Sequence, residues 1–103
     1  MLGMKYNKLV RDKIPKTIKR KGGKALIHTA KRKEYWEKLK DKLEEEVCEF
    51  VTSESIEELA DILEVVDAIA KFKKFSKKEL KKVKKDKKRE KGGFKKGIIL
   101  EES

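Results

Sequence analysis

The stretch that decides the fold is Leu43-Glu-Glu-Glu-Val-Cys-Glu-Phe-Val-Thr-Ser-Glu-Ser-Ile-Glu-Glu-Leu-Ala-Asp-Ile-Leu63. Upstream of it, from about Lys33 to Val51, Trp36, Leu39, Leu43, Val47 and Phe50 recur at three- and four-residue steps. That is the period of a helix with one buried stripe. Thr52-Ser-Glu-Ser55 interrupts the pattern, and Ser55 followed by Glu58 is a capping box that starts a second helix. Leu59, Ile62, Leu63, Val66, Ile69 and Ala70 form the apolar face of that helix. So short a break joins antiparallel neighbours, and the two stripes are expected to pack as a helical hairpin.

Outward from the hairpin the signals weaken. Residues Met4 to Val10 read as an irregular entry, and Pro15 opens a short helix that ends at Gly22-Gly23. Phe75-Ser76 with Glu79 repeats the capping pattern and begins a lysine-rich helix whose clear apolar anchors are Leu80 and Val83; Gly92-Gly93 ends it as a C-cap. Ala25 to Thr29 and Gly97 to Leu100 read as two short strands that pair. The expected fold is therefore all-α, a bundle built on the hairpin with a minor two-stranded β element. Residues 1–103 suit one domain with a modest core.

Composition narrows the classes of function. Charged residues make up 48% of the chain and apolar ones 37%, so a monomer buries little and homo-oligomerisation is expected. One cysteine, Cys48, excludes an intramolecular disulfide and a multi-cysteine metal site. No apolar run approaches the roughly 20 residues that span a bilayer, and Met1-Leu-Gly-Met-Lys5 lacks a signal-peptide pattern. The expectation is a cytoplasmic protein without a membrane partner. The formal charge of +11 is segregated: Leu43 to Ala70 holds ten acids and no Lys or Arg, against 30 basic and nine acidic residues elsewhere. A basic exterior around an acidic segment suits an anionic ligand delivered to a cation.

Two acidic pairs carry the chemistry, Glu46-x-x-Glu49 on the first long helix and Glu58-x-x-Asp61 on the second. Residues three apart share a helical face, so each pair points two carboxylates the same way. Across a hairpin, four hard oxygen donors converge at the rim, which suits Mg2+ or Mn2+. The plainer reading is solvated helix faces paired with neighbouring lysines, with Glu58 only capping its helix. His28 and Trp36 read as structural, and Cys48 as a packed, inert thiol.

The run Leu43 to Phe50 followed by Glu57-Glu-Leu-Ala-Asp-Ile-Leu63 resembles the acidic signature of the MazG-like all-α nucleoside triphosphate pyrophosphohydrolases, relatives of phosphoribosyl-ATP pyrophosphohydrolase. Tyr6-Asn-Lys-Leu-Val-Arg-Asp-Lys-Ile-Pro15 and Lys88-Arg-Glu-Lys-Gly-Gly-Phe94 look like the opening and closing motifs of a short house-cleaning subgroup. The resemblance implies hydrolysis of altered nucleoside triphosphates to monophosphate and pyrophosphate with Mg2+ as cofactor, Mn2+ serving as an alternative. It also implies that Glu46, Glu49, Glu58 and Asp61 are metal ligands, with Glu46 and Glu45 the catalytic acids. Lys8, Arg11 and Lys13, together with Lys88 and Arg89, are the candidate phosphate contacts, with Asp12 orienting Arg11. The spacer of eight residues between Glu49 and Glu58 is shorter than in many such enzymes, which reduces the room for a nucleobase. Two rival readings stand beside this one: a basic helical module for RNA or DNA, and a catalytically silent MazG-like assembly protein. The nucleic-acid reading is less favoured, because seven scattered aromatic residues do not make a single-strand platform.

Overall fold

Four helices follow one another along the chain: α1 (Ile14–Arg20), α2 (Arg32–Ser53), α3 (Ile56–Phe72) and α4 (Lys77–Lys91). The computed structural model describes residues 4–103. Met1 to Gly3, part of the opening segment read for a leader pattern, lie outside the described residues. The protein is all-α, and α2 with α3 forms the expected hairpin, the one extensive helix pair among the described residues.

The turn that makes the hairpin is two residues long. Glu54 takes a left-handed conformation at φ 51° and donates its N–H to the Phe50 carbonyl at 2.7 Å, closing α2. Ser55 is extended, and its Oγ accepts from the Glu58 N–H at 3.3 Å, so Ser55 caps α3 as its sequence implies, while the Glu58 carboxylate faces the other acids and makes no return bond to Ser55 among the described residues. The break is thus shorter than expected. Thr52 and Ser53 remain helical, with the Thr52 hydroxyl donating to the Cys48 carbonyl at 3.1 Å. Ser76 caps α4 in the same way, accepting from Glu79 N–H at 2.9 Å, and Gly92 at φ 86° ends it. That φ is comfortable only without a Cβ, which supports the C-cap reading of these glycines. Pro15 occupies the first turn of α1, where no intrahelical N–H is needed.

The core is narrow. Leu39, Val65 and Ala70 are its buried apolar residues among those described. At the end of the hairpin remote from the turn, Trp36 stacks on Phe72 at 5.0 Å and 5°, and Tyr35 meets the same ring edge-on at 5.7 Å. Arg32 lies 4.4 Å over the Phe72 ring. This aromatic group ties the first turns of α2 to the last turn of α3, and it gives Trp36 the packing role read from its position on the stripe.

Three local expectations are corrected. No strand forms among the described residues: Ala25 to Thr29 and Gly97 to Leu100 are without regular structure. Leu26, Ile98, Ile99 and Leu100 are each more than three-quarters exposed, so neither segment has a third strand or a helix to pack on. Two short strands alone are marginal in water. On α2, Val47 is 42% exposed while Glu46 is 5% exposed, so the inner face of this helix carries a carboxylate where an unbroken apolar stripe was expected, and on α3 Leu59 and Leu63 of the expected stripe are exposed while Val65, outside it, is buried. Cys48 is exposed, not packed. No helix among the described residues is long and apolar enough to cross a membrane.

Since Leu39 is 1% exposed, Leu39→Ala should cost about 2–5 kcal/mol of unfolding free energy. Leu26→Ala, at a site 83% exposed, should change stability by less than about 0.5 kcal/mol. Urea titration followed by helical circular dichroism measures both, and equal costs would contradict this placement of the core.

Candidate functional site

The hairpin contact brings carboxylates from both helices together. Oxygens of Glu46 on α2 and of Glu58 and Asp61 on α3 all lie within 4.8 Å of one another. Glu46 is buried, whereas Glu58 and Asp61 are half-buried. Glu49, the fourth carboxylate of the two pairs, stands outside this group but close enough to Glu58 to act on its titration.

Three basic side chains converge on the same place. Arg11 Nη2 donates to Asp61 Oδ1 at 2.7 Å, and Lys8 Nζ donates to Glu45 Oε1 at 2.8 Å. Both come from the irregular segment ahead of α1, which therefore lies across the acidic edge of the hairpin. Lys42 Nζ reaches Glu45 at 3.3 Å and Glu46 at 3.1 Å within α2. The sequence reading missed Lys42, because it sits one residue before the acid-only stretch. Its three- and four-residue spacing to Glu45 and Glu46 was the available signal, although a lysine ahead of its acid is the weaker orientation on a helix.

Neutralisation is incomplete. Glu46 Oε2 and Glu58 Oε2 are sealed from solvent and have no hydrogen-bond partner. An unpartnered buried carboxylate oxygen is costly, and such groups in a folded protein call for an ion, a proton or a ligand. Loss of hydration pushes the Glu58 carboxyl from 4.5 up to about 7, reinforced by the Glu49 carboxylate to which it can donate and by the charges of Glu49, Asp61 and Glu46. Glu45 behaves oppositely: burial raises it, but the Lys8 and Lys42 ammoniums outweigh burial and hold it below its usual range. The hydrogen bond to Glu45 raises Lys8 in turn, with partial burial opposing and the charges of Glu45, Glu49 and Glu46 adding to it.

The remaining candidates lie elsewhere. Lys13 is the residue before α1, where its carbonyl accepts from the Thr17 N–H at 3.0 Å and from the Thr17 hydroxyl at 3.0 Å. Lys88 and Arg89 are in the last turn of α4; Arg89 pairs with Asp86 at 2.8 Å, and among the described residues no ion pair joins either to the acidic cluster. Arg11 is held by Asp61, and no hydrogen bond links it to Asp12 among the described residues. His28 faces Glu34 at 3.0 Å and is exposed, away from any second candidate ligand.

Chemically, Glu46, Glu58 and Asp61 are the residues that could hold a hard divalent cation through oxygen donors, Asp61 Oδ1 being paired with Arg11 in its absence. The donor set fits Mg2+ or Mn2+ better than a soft metal, since neither sulfur nor imidazole belongs to the cluster. No family model, curated protein or solved structure matches the chain.

A pH dependence follows from Glu58. In metal-free protein the folded state holds a proton on Glu58 that the unfolded chain releases above its ordinary value of 4.5. The stability from this group is present in full below that value and is lost as pH rises through about 7. Glu45 and Lys8 act below 4.5 and above 10.5 respectively, outside this window. With a chelator present, the melting temperature should fall from pH 5 to pH 7.5 by about a few degrees, and Glu58→Gln should flatten that slope. A wild-type curve without the slope would remove the case for a strained Glu58.

Proposed function

We propose that the protein is a divalent-cation-dependent pyrophosphohydrolase acting on nucleoside triphosphates, as its acidic motif and the two end motifs suggest. The observation that carries the reading is the convergence of Glu46, Glu58 and Asp61, with two sealed and unpaired oxygens, beside Arg11 and Lys8. Glu46, Glu58 and Asp61, with Glu49 next to Glu58, are the residues that would hold Mg2+ or Mn2+, whose chemistry is to polarise a phosphoryl oxygen and offset developing negative charge.

The chain's own side chains account for the rest. Arg11 and Lys8 neutralise the acids while no ligand is present, and a triphosphate arriving with its cation permits an exchange of partners. The carboxylates would hold the cation, and the Arg11 guanidinium and Lys8 ammonium would bind phosphate oxygens. Glu45, bonded to both Lys8 and Lys42, positions these cations and is a supporting acid more than a proton acceptor. Water then attacks the α-phosphorus and gives up a proton to solvent, the bond from that phosphorus to the α,β-bridging oxygen breaks with its electron pair leaving on pyrophosphate, and monophosphate and pyrophosphate depart. The rival reading of α4 as a nucleic-acid module gains less support, because its 15 residues include no aromatic side chain for base stacking.

A panel of standard and altered nucleoside triphosphates, incubated with Mg2+, should yield monophosphate and pyrophosphate from at least one member. Glu46→Gln and Asp61→Asn should each lower turnover by more than roughly 100-fold, beyond what loss of an outer-shell partner costs, with helical content retained. Mg2+ should also raise the wild-type melting temperature, because a ligand that binds only the folded state stabilises it, and should leave that of Glu46→Gln nearly unmoved. A melting temperature raised by Mg2+ without turnover of any nucleotide would leave the silent assembly protein as the reading. No response to Mg2+ and full activity in both variants would sink the site.

A further inference from the structure

Outside the acidic cluster, the strongest charged feature is α4, which carries ten basic residues and three acids in 15 positions. An α-helix turns about 100° per residue, and at that step the charges of α4 separate into two faces. Glu79, Asp86 and Glu90 fall on one side together with Leu80, Val83 and Lys87. The other nine basic residues, from Lys91 round through Lys77, Lys81 and Lys85 to Lys82, fill roughly half of the circumference with no acid among them. All nine are exposed. Ion pairs relieve little of this charge: Asp86 takes Lys82 at 3.0 Å and Arg89 at 2.8 Å, and no other ion pair involves α4 among the described residues. Lys77, Lys81 and Lys85, and likewise Lys84 and Lys88, are like charges four residues apart, a spacing that weakens a helix. A face that bears this repulsion without internal counter-charge is complementary to an external polyanion.

We propose that the basic face of α4 binds duplex DNA through its phosphates, without reading its sequence. B-form DNA presents roughly one charge per 1.7 Å of its axis. At a rise of about 1.5 Å per residue, the 15 residues of α4 run beside about a dozen phosphates. The major groove, about 12 Å wide, admits a helix, and a basic arc of this breadth reaches the strands on both sides of it while the acids face away. Duplex RNA does not offer that fit, because its major groove is deep and narrow. α4 has no aromatic side chain to stack on the bases of a single strand, so the backbone of a duplex is the contact it suits. A bilayer suits it less: Leu80 and Val83 share their side with the three acids, and inserting them would carry carboxylates into the headgroups. α4 contains no Asn or Gln and a single Arg, so it has little with which to read base edges. It does not pack extensively on the hairpin among the described residues, which leaves the face open. The inference is independent of the chemistry assigned to the acidic cluster.

Fluorescence anisotropy of the full chain with a labelled DNA duplex, titrated at several salt concentrations, tests it. With about six phosphates contacted, the logarithm of affinity should fall against that of salt concentration with a slope of about −5 or steeper. Lys78→Gln, Lys81→Gln and Lys85→Gln in one chain, which keep helix propensity, should weaken binding by about tenfold or more and make the slope shallower by nearly three, roughly one per lost contact. Lys16→Gln, Lys19→Gln and Lys24→Gln remove the same charge outside α4 and should leave affinity within about threefold. Absence of binding at low salt overturns the proposal, as does an equal loss in the two triple variants. Binding to duplex RNA or to phosphatidylserine vesicles as tight as to duplex DNA overturns it as well. Should the α4 variant lose its helical dichroism, the salt slope of the wild-type protein and its preference for DNA decide.

Discussion

Leu39, Val65 and Ala70 hold α2 against α3, and the same contact presses Glu46 toward Glu58 and Asp61. Apolar burial and like-charge repulsion are thus built into one interface, with few residues to supply the first. The protein answers the second in three ways. Lys42 reaches Glu45 and Glu46 within the helix, the segment ahead of α1 contributes Arg11 and Lys8, and Glu58 retains its proton to higher pH than a free carboxyl. Even so, two oxygens are left without partners. Those two oxygens, Glu46 Oε2 and Glu58 Oε2, mark where the interface stays unsatisfied.

The partners of the acids also place an otherwise irregular segment against the hairpin. Met4 to Lys13 contains no helix or strand, yet Arg11 and Lys8 reach carboxylates 50 and 37 residues away in sequence. Half-exposed ion pairs contribute little stability each. Their weakness means that a contact of this kind can give way without a large loss of stability.

How far the sequence could be read depended on whether a feature was local. The hairpin and the capping roles of Ser55 and Ser76 follow from periodicity and from bonds spanning three residues and were legible, whereas the turn was placed two residues too wide because Thr52 and Ser53 stay helical. The strands were not, because pairing of Ala25–Thr29 with Gly97–Leu100 depends on where α4 delivers the chain, which no local pattern encodes. The stripe of α2 was legible only in part: Val47 sits at the right interval for burial, but Glu46 faces inward instead, and the exposed Cys48 follows from the same rotation. For the site, spacing found the acids that converge, and composition found the surplus of cations. Which cation meets which acid is a tertiary fact, so Arg11 and Lys8 emerged as candidates through the resemblance, and Lys42 escaped notice by lying just outside the acidic stretch.

The acidic edge and the apolar side of the hairpin do not compete for the same ground. An α-helix turns about 100° per residue, so Val47 and Val51 point to one side of α2 while Glu46 and Glu49 point well around its circumference. On α3, Ile56, Leu59 and Leu63 are displaced from Glu58 and Asp61 in the same manner. One helix pair can therefore present charge in one direction and apolar surface in another. A chain with only three buried apolar residues among those described has little stability in reserve. Any contact that covered the apolar side would add packing that holds the acids together against their repulsion, without touching the acids themselves.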